Sequence, residues 1–483
     1  MPGSLVGEGE FVSRHTESPQ PDAGPMTRVL HGKTMLLLAF AFAVMADPVS
    51  SVAYAIEAAL RALDGDLAVL MATMALVIAI VGLVIVNYHQ LVGRFPEGGG
   101  AAAAAGRAFG EAWAFVPLGA LVVDFVLTIA ISAAAGAAAI IAFFPSLDAW
   151  RVPLNLALLL VVAGITWFGH LGRAVFALMT VSFVAVASLV LLKGFELSPV
   201  AGPIPGSATT GFADVSVLLA FPVAMALATG IEAPSSAIAQ LGMLDDAGRR
   251  RFGRITLWAT LVVVGWLTLG LTALAVRLHM GIPQQDSTLV ADIARQTGNT
   301  LFAAFQLTSG ALLLAAASSS FQAGPGLLKA LARSGGDADG EVGILPGWMG
   351  RTNRHHTPYW GVVLYLVIAA SVVVLARGEE QSLVLFYAVA VFVSFLAGLL
   401  AMARFARRER RYGSLALNGL GALVVAFTLV VNLGRGYPLV SLLASLLVAW
   451  AFHRMWVRAG RPGGIAEAEA VGEHVVGVEL ADP

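Results

Sequence analysis

Long apolar runs recur along the chain from Met35 to Val457, separated by short polar or Pro/Gly-rich segments. A membrane-spanning helix needs ~20 mostly apolar residues, and each run reaches about that length. None alternates apolar and polar residues with period two, as a transmembrane strand would. The pattern predicts an all-α integral membrane protein with about twelve spans. Their predicted first residues are Met35, Asp66, Ala112, Pro153, Ala174, Ala213, Ile255, Thr300, Tyr359, Gln381, Ser414 and Tyr437.

The composition and the charge distribution add an orientation to this picture. Hydrophobic residues make up 58% of the chain and charged residues 12%, against roughly 25% charged in soluble domains. With both termini in the cytoplasm, 22 of the 29 Lys and Arg residues lie on that side, as the positive-inside rule requires. We therefore expect a multi-pass protein of the bacterial inner (plasma) membrane. Its transmembrane domain spans 34–458, between disordered cytoplasmic tails at 1–33 and 459–483.

A short repeat links spans one and six. Residues 47–51 (DPVSS) and 232–236 (EAPSS) both read acid-x-x-Ser-Ser, and each lies mid-span with a proline. Inverted repeats whose first helices are broken at mid-membrane are a known transporter architecture. The repeat predicts a 5+5 inverted repeat with spans one and six broken. Chance similarity in a Ser/Ala/Pro-rich sequence is the alternative explanation.

Three spans carry acidic and hydroxyl residues at helical spacing, which places them on shared faces. The stripes comprise Asp47 and Tyr54 in span one, Asp124, Thr128 and Ser132 in span three, and Thr229 and Glu232 in span six. A charged side chain at the bilayer centre costs at least ~2.5–3.5 kcal/mol, so such residues usually have a function. No Lys, Arg or His lies mid-membrane in these spans. Carboxylates, hydroxyls and carbonyls freed by Pro48 are oxygen ligands that suit a hard cation.

Three neighbouring carboxylates cannot all be ionised together in a low-dielectric site. A protonated Glu232 or Asp124 is therefore the candidate for proton coupling. Simpler roles remain open, because membrane Ser and Thr often bond their own backbone and Asp124 could pair with a distant Arg. Glu57, near the outer end of span one, is expected to face water or lipid headgroups. The run Ser318–Ser320 in span eight suits either the transport path or close helix packing.

Enzymatic function is not expected. The sequence has no His-Glu-x-x-His motif, Walker A loop or nucleophile elbow, and it contains no cysteine. We expect no cofactor and no nucleic-acid partner, with transport driven by an ion gradient or passive. A non-transporting membrane sensor or scaffold is the third class considered, but it would not need polar stripes in three spans.

The motifs resemble those of the APC superfamily of secondary transporters, and within it the KimA-type potassium–proton symporters. Residues 47–54 (DPVSSVAY) are similar to that family's Asp-Ala-Leu-Ser-Ser-Val-Ala-Tyr, and 124–132 (DFVLTIAIS) to its Asp-Tyr-x-Leu-Thr-x-x-x-Ser. Residues 95–100 (FPEGGG) and 229–233 (TGIEA) are similar to segments shared by many permeases. Pro48 departs from the pattern, as does alanine in place of the tyrosine that follows the triple glycine.

The resemblance implies a LeuT-type fold of five plus five helices with two more. It also implies potassium binding at the positions of the three stripes. Those positions are Asp47, Tyr54, Asp124, Thr128, Ser132, Thr229 and Glu232.

Potassium and amino-acid cargo can be weighed against each other at span one. Amino-acid permeases bind the substrate carboxylate with backbone exposed at a glycine-rich break. Here no glycine lies between Lys33 and Asp64, and Asp47 would repel a carboxylate. Proton-coupled potassium uptake is favoured, and a proton-coupled amino-acid or amine permease is the alternative. The expected partners are a small cation or amino-acid cargo and membrane lipid, with a homodimer as a possible assembly.

Overall fold

The computed structural model describes residues 33–168, 172–206, 215–332 and 343–472. Over these residues the chain is helical and contains no strand. The α-helices are α1 (Lys33–Val44), α2 (Ala46–Ser50), α3 (Val52–Ala62), α4 (Leu67–Arg94), α5 (Gly100–Phe109), α6 (Phe115–Phe143), α7 (Arg151–Phe168), α8 (Arg173–Glu196), α9 (Val215–Ala224), α10 (Ala233–Ala237), α11 (Asp246–Arg277), α12 (Leu289–Gln296), α13 (Asn299–Leu331), α14 (Tyr359–Leu375), α15 (Glu380–Arg408), α16 (Tyr412–Leu433) and α17 (Pro438–Arg458). Short 3₁₀ helices cover Glu111–Ala114, Pro145–Trp150, Met225–Ala228, Ile238–Gln240, Gly347–Gly350 and Ile465–Glu467.

Within the described ranges, ten helical stretches are long and apolar enough to cross a membrane. Eight of them begin within two residues of a predicted span start, and the other two, at Pro145 and Asp246, begin eight and nine residues before the predicted Pro153 and Ile255. The other two predicted spans coincide with the interrupted stretch α1–α3 and with α14, which has 17 residues. The structure thus agrees with an all-α, multi-pass membrane protein. The count of twelve spans and the inverted repeat stay predictions.

The third and sixth spans form the centre of the bundle. Their most apolar windows are each 78% buried within the protein, whereas that of α17 is 22% buried. α6 packs against α13, α15 and α17. On α16 and α17, large apolar side chains such as Leu423, Val430 and Leu447 are exposed. A continuous apolar surface of this kind suits contact with lipid.

Span one is interrupted at two residues. Met45, between α1 and α2, has φ −80° and ψ 1°, and Ser51 joins α2 to α3. Pro48 within α2 has no N–H group, so the carbonyl of Val44 lacks the donor that a regular helix would supply. The structure therefore has the interruption that the sequence predicts for this span.

Span six is interrupted more severely. After α9 and the 3₁₀ turn Met225–Ala228, Thr229 is extended at φ −65° and ψ 143°. Gly230 follows at φ +72°, a conformation that glycine adopts without steric cost. The chain then re-enters a helix at α10. The predicted break in this span is present, and it is centred on Thr229 and Gly230.

The expectation of a disordered tail after Arg458 is wrong for residues 459–472. This segment contains the 3₁₀ helix Ile465–Glu467, whose first two residues are buried. Its small apolar residues pack against α5, which is itself rich in Gly and Ala. A Gly/Ala/Glu-rich composition resembles that of a solvated tail, so the sequence pattern alone did not reveal this packing. Residues 1–32 and 473–483 lie outside the described part of the chain.

Candidate functional site

The three acidic residues that centre the predicted stripes line one cavity of about 120 Å³. Asp47 comes from α2, Asp124 from α6, and Glu232 from the residue that precedes α10. Asp124 and Glu232 are buried and Asp47 is half-buried. No Lys, Arg or His is among the described residues that line this cavity. The structure therefore brings together three carboxyl groups without a basic side chain among them.

One oxygen of each carboxyl group is buried without a hydrogen-bond partner in the described part of the chain. These atoms are Asp47 Oδ1, Asp124 Oδ1 and Glu232 Oε2. Buried polar atoms in native proteins are nearly always hydrogen-bonded, so three such oxygens around one cavity require an explanation. A ligand that accepts oxygen coordination or donates hydrogen bonds would provide one.

Gly230 allows the broken backbone of span six to rest against the Asp47 carboxyl group. A Cβ at this position would lie 2.7 Å from Asp47 Oδ2 and 2.8 Å from Pro48 Cδ. Contacts this short do not occur between real Cβ atoms and their neighbours. Any other residue would push spans one and six apart at the cavity. Sequence reasoning did not single out Gly230, although it lies within the TGIEA motif.

Thr128 and Ser132 lie deeper along α6 than Asp124. The Thr128 hydroxyl is hydrogen-bonded to Tyr387 Oη of α15 at 2.5 Å, and Ser132 is buried. Neither lines the cavity. The polar stripe of α6 therefore extends from the cavity at Asp124 to buried hydroxyl groups, where Thr128 contacts Tyr387. Tyr387 gave no signal in the sequence.

Tyr54 does not reach the cavity that Asp47 lines. It borders a separate space of about 10 Å³, together with Ala135 and Gln306. Ala135 is eleven residues beyond Asp124, which corresponds to roughly 16 Å along a helix at 1.5 Å per residue. The structure thus places Tyr54 beside a space separate from the one that the three carboxyl groups line.

Hydroxyl groups satisfy the interrupted backbone of span six. Thr229 Oγ1 donates to the Ala226 carbonyl at 2.9 Å, and Ser51 Oγ donates across from span one to the Leu227 carbonyl at 3.1 Å. These carbonyls are therefore bonded within the protein. Among the side chains of span six, the oxygen without a partner is Glu232 Oε2.

Other polar residues complete the cavity. Ser319 and Gln322 of α13, Gln240 after α10, and Glu469 of the C-terminal segment line it. The serine run in span eight thus borders the cavity at Ser319 and Ser320. Gln240 and Glu469 gave no signal in the sequence, because neither lies on a polar stripe of a predicted span.

The expectation for Glu57 is wrong. Its side chain is 2% exposed, its Oε2 accepts the Leu289 backbone N–H at 3.0 Å, and its Oε1 pairs with Arg61 Nε at 2.8 Å. Leu289 begins α12, whose first N–H groups lack helical partners and favour an anion. Glu57 therefore caps a distant helix and does not face solvent.

Interrupted spans one and six that meet at a buried acidic cavity define a multi-pass membrane protein with a central acidic cavity. A family model described as amino acid permease matches residues 36–448. The chain belongs to this family, and it is accordingly a secondary transporter of the APC superfamily. The superfamily resemblance drawn from the motifs is thereby confirmed.

Known relatives include the potassium transporter KimA of Bacillus subtilis (strain 168), which is 28% identical over 354 residues. The match covers 70% of this chain and 56% of the length of that relative. Two solved mutants of the Eremococcus coleocola manganese transporter align with 89% of this chain and 95% of their own. Their sequence identity is 14%, and their TM-scores are 0.48 and 0.49.

Proposed function

We propose that this protein takes up potassium together with a proton through the cavity lined by Asp47, Asp124 and Glu232. The observation that carries the proposal is the set of three buried carboxyl oxygens without partners around one space. An unpaired buried charge is costly. A bound cation would supply the missing partner, since potassium is coordinated by oxygen atoms. Similarity to a potassium transporter supports the same cargo.

Proton coupling follows from the charge in the cavity. Three ionised carboxylates around one monovalent cation would leave two uncompensated negative charges in a low-dielectric site, which is unfavourable. Protonation of Glu232 or Asp124 removes part of that excess. The proton would then enter and leave with the cation. We place both termini in the cytoplasm of a bacterial inner membrane, on the basis of the Lys and Arg distribution.

A small organic amine or amino acid is the second candidate, and the size of the cavity favours it. One water needs about 10–15 Å³ of such space, so about 120 Å³ holds several waters and exceeds the need of a bare potassium ion. The side-chain amide of Gln322 donates one N–H to Ser318 at 3.3 Å, and its second N–H could donate to a carboxylate. The family description also names amino acids.

Reconstitution into proteoliposomes distinguishes these functions. We expect rubidium or potassium uptake that rises with an inward proton gradient, and no uptake of labelled amino acids. Asp47→Asn and Asp124→Asn should each lower cation uptake by at least about tenfold, a loss of about 1.4 kcal/mol in binding. Asp64→Asn is the matched control, because Asp64 is exposed at φ +51° and asparagine tolerates that conformation.

Normal cation uptake by both acidic-site variants would contradict the assignment. Amino-acid uptake without cation uptake would establish the second candidate. Cation uptake that does not change with an imposed pH gradient would support the cation site but indicate a uniporter. Growth rescue at low external potassium, in a bacterium without its own potassium-uptake systems, tests the same function in cells.

A further inference from the structure

The segment after the last span folds back over one end of the acidic cavity. α17 ends at Arg458, and the chain reverses through Gly460 and Gly464 at φ +83° and +85°. Ala466 then fits against Gly106 of α5 so closely that a Cβ on the glycine would lie 2.5 Å from its Cβ. We call residues 460–472 the C-terminal cover. Its close fit to α5 indicates a specific seat and not a loose contact.

The C-terminal cover is attached at both edges of the opening. On one side the Glu111 carboxylate accepts the backbone N–H groups of Gly464 at 3.0 Å and Ile465 at 3.4 Å. On the other side Gly472 lies against the backbone of Gly326 in α13. Arg107 and Glu467 form a further ion pair, but both side chains are about half exposed and such pairs contribute little. The Glu111 contacts are therefore the main polar attachment at that edge of the opening.

Glu469 lies between these attachments and points into the cavity. It is 8% exposed, and its Oε1 accepts a hydrogen bond from Ser236 Oγ in α10. A Cβ on Gly100 would lie 2.8 Å from Glu469 Oε1. Glu469 also lines the same cavity as Asp47, Asp124 and Glu232. A fourth carboxyl group, from outside the spans, thus occupies the end of the cavity nearest α5.

We propose that Glu469 is a further acidic residue of the cargo path, and that the C-terminal cover is the gate that carries it. A small cation that leaves the three central carboxyl groups toward α5 meets Glu469 next. The cover fills that opening, so it must move aside before cargo passes. The part played by Glu469 rests on the proposed cation transport, whereas the gate does not. The positive-inside distribution places this opening on the cytoplasmic side.

Access to the cavity tests the gate without reference to cargo. The sequence contains no cysteine, so Ser319→Cys, which lines the cavity, gives a single reporter. The measurement is the rate at which a small neutral methanethiosulfonate reagent modifies this cysteine in purified full-length protein. Glu111→Ala removes the polar attachment, and Ala466→Trp overfills the seat against Gly106. Arg107→Gln is the matched control, because it removes only the exposed ion pair.

Each gate variant should accelerate modification by at least about tenfold, the factor that corresponds to about 1.4 kcal/mol. Arg107→Gln should stay within about twofold, since exposed pairs are worth little. Either gate variant alone, if folded by size-exclusion chromatography, suffices for the comparison. If both gate variants are modified at the same rate as the Ser319→Cys protein with an unaltered cover, the gate proposal is wrong.

Flux measurements test Glu469 itself. Glu469→Gln keeps the volume and the capacity to bond Ser236, so it should leave the Ser319→Cys modification rate unchanged. It should raise the KM for potassium by about tenfold, and Glu469→Asp should recover part of that loss. An unchanged KM, in a protein that Asp47→Asn inactivates, would overturn the role of Glu469 and leave the proposed function intact. If the protein transports no cation, both the proposed function and the role of Glu469 are wrong. The gate proposal is still tested by the modification rates.

Discussion

Gly230→Ala tests whether the contact between spans one and six is needed for the site. Two costs apply, and the structure separates them. Gly230 has φ +72°, where an alanine is disfavoured by roughly 1–2 kcal/mol. Its new Cβ would also lie 2.7 Å from Asp47 Oδ2, and forcing an extra methyl group into a packed interior costs roughly 1–3 kcal/mol.

Gly436→Ala is the matched control for the first of these costs. Gly436 has φ +85°, and a Cβ built on it meets nothing within 4 Å. The control therefore loses only the backbone term. The difference between the variants, roughly 1–3 kcal/mol, is assigned to the contact with Asp47. If that strain falls on the cargo-bound state, the KM for cargo should change by roughly 5- to 150-fold.

The assays are the apparent melting temperature of the purified protein, with and without cargo, and the KM for uptake in proteoliposomes. We expect Gly230→Ala to melt lower than Gly436→Ala and to show less stabilisation by cargo. Equal melting temperatures and equal KM values in the two variants would refute the reasoning. That result would mean that the carboxyl group of Asp47 does not depend on the close approach of the span-six backbone.

Two further changes test the packing around the site. Thr128→Val removes the hydrogen bond to Tyr387 and should cost about 0.6 kcal/mol, the mean measured for side-chain hydrogen bonds in membranes. Thr308→Val is its control, because the Thr308 hydroxyl donates to backbone carbonyls of its own helix. If both variants lose the same apparent free energy of unfolding in detergent, the bond between helices has no stabilising role. Glu57→Gln should lower that free energy by about 1–2 kcal/mol, since it weakens hydrogen bonds made by a charged group, and a variant as stable as the parent would show that the cap on α12 contributes little.

The sequence was sufficient to predict most of the long apolar helices and the three carboxyl groups that line one cavity. The thickness of the bilayer sets the length of each apolar run, so the helices could be located without knowing their neighbours. A carboxyl group inside such a run is costly unless it has a function, and this singled out Asp124 and Glu232. Both signals depend only on residues near each other in the chain, so they can be recognised in a single sequence.

Contacts between distant parts of the chain were not predictable in the same way. Glu57 was misplaced because its partner, the N–H of Leu289, lies far along the sequence. A continuous helix would place Tyr54 and Asp47 on one face, but seven residues would also separate them by about 10 Å along its axis, and the helix is interrupted between them at Ser51. Thr128 is predicted to bind cargo, and the structure adds a hydrogen bond between its hydroxyl and Tyr387 that no local pattern indicates. Periodicity identifies a face of a helix, whereas depth and partner depend on how the helices pack.

The position of Gly230 bears on the choice between a cation and a zwitterion. In span one the absence of glycine argued against backbone amides that bind a substrate carboxylate. The structure contains a glycine at the corresponding interruption of span six, but its Cα faces the Asp47 carboxyl group. A substrate carboxylate would therefore approach this backbone beside a like charge, at a cost that a low-dielectric site increases. A cation at the same place would be attracted by Asp47 and by the unpartnered oxygen of Glu232. The glycine thus supports cation transport more than it supports the amino-acid alternative.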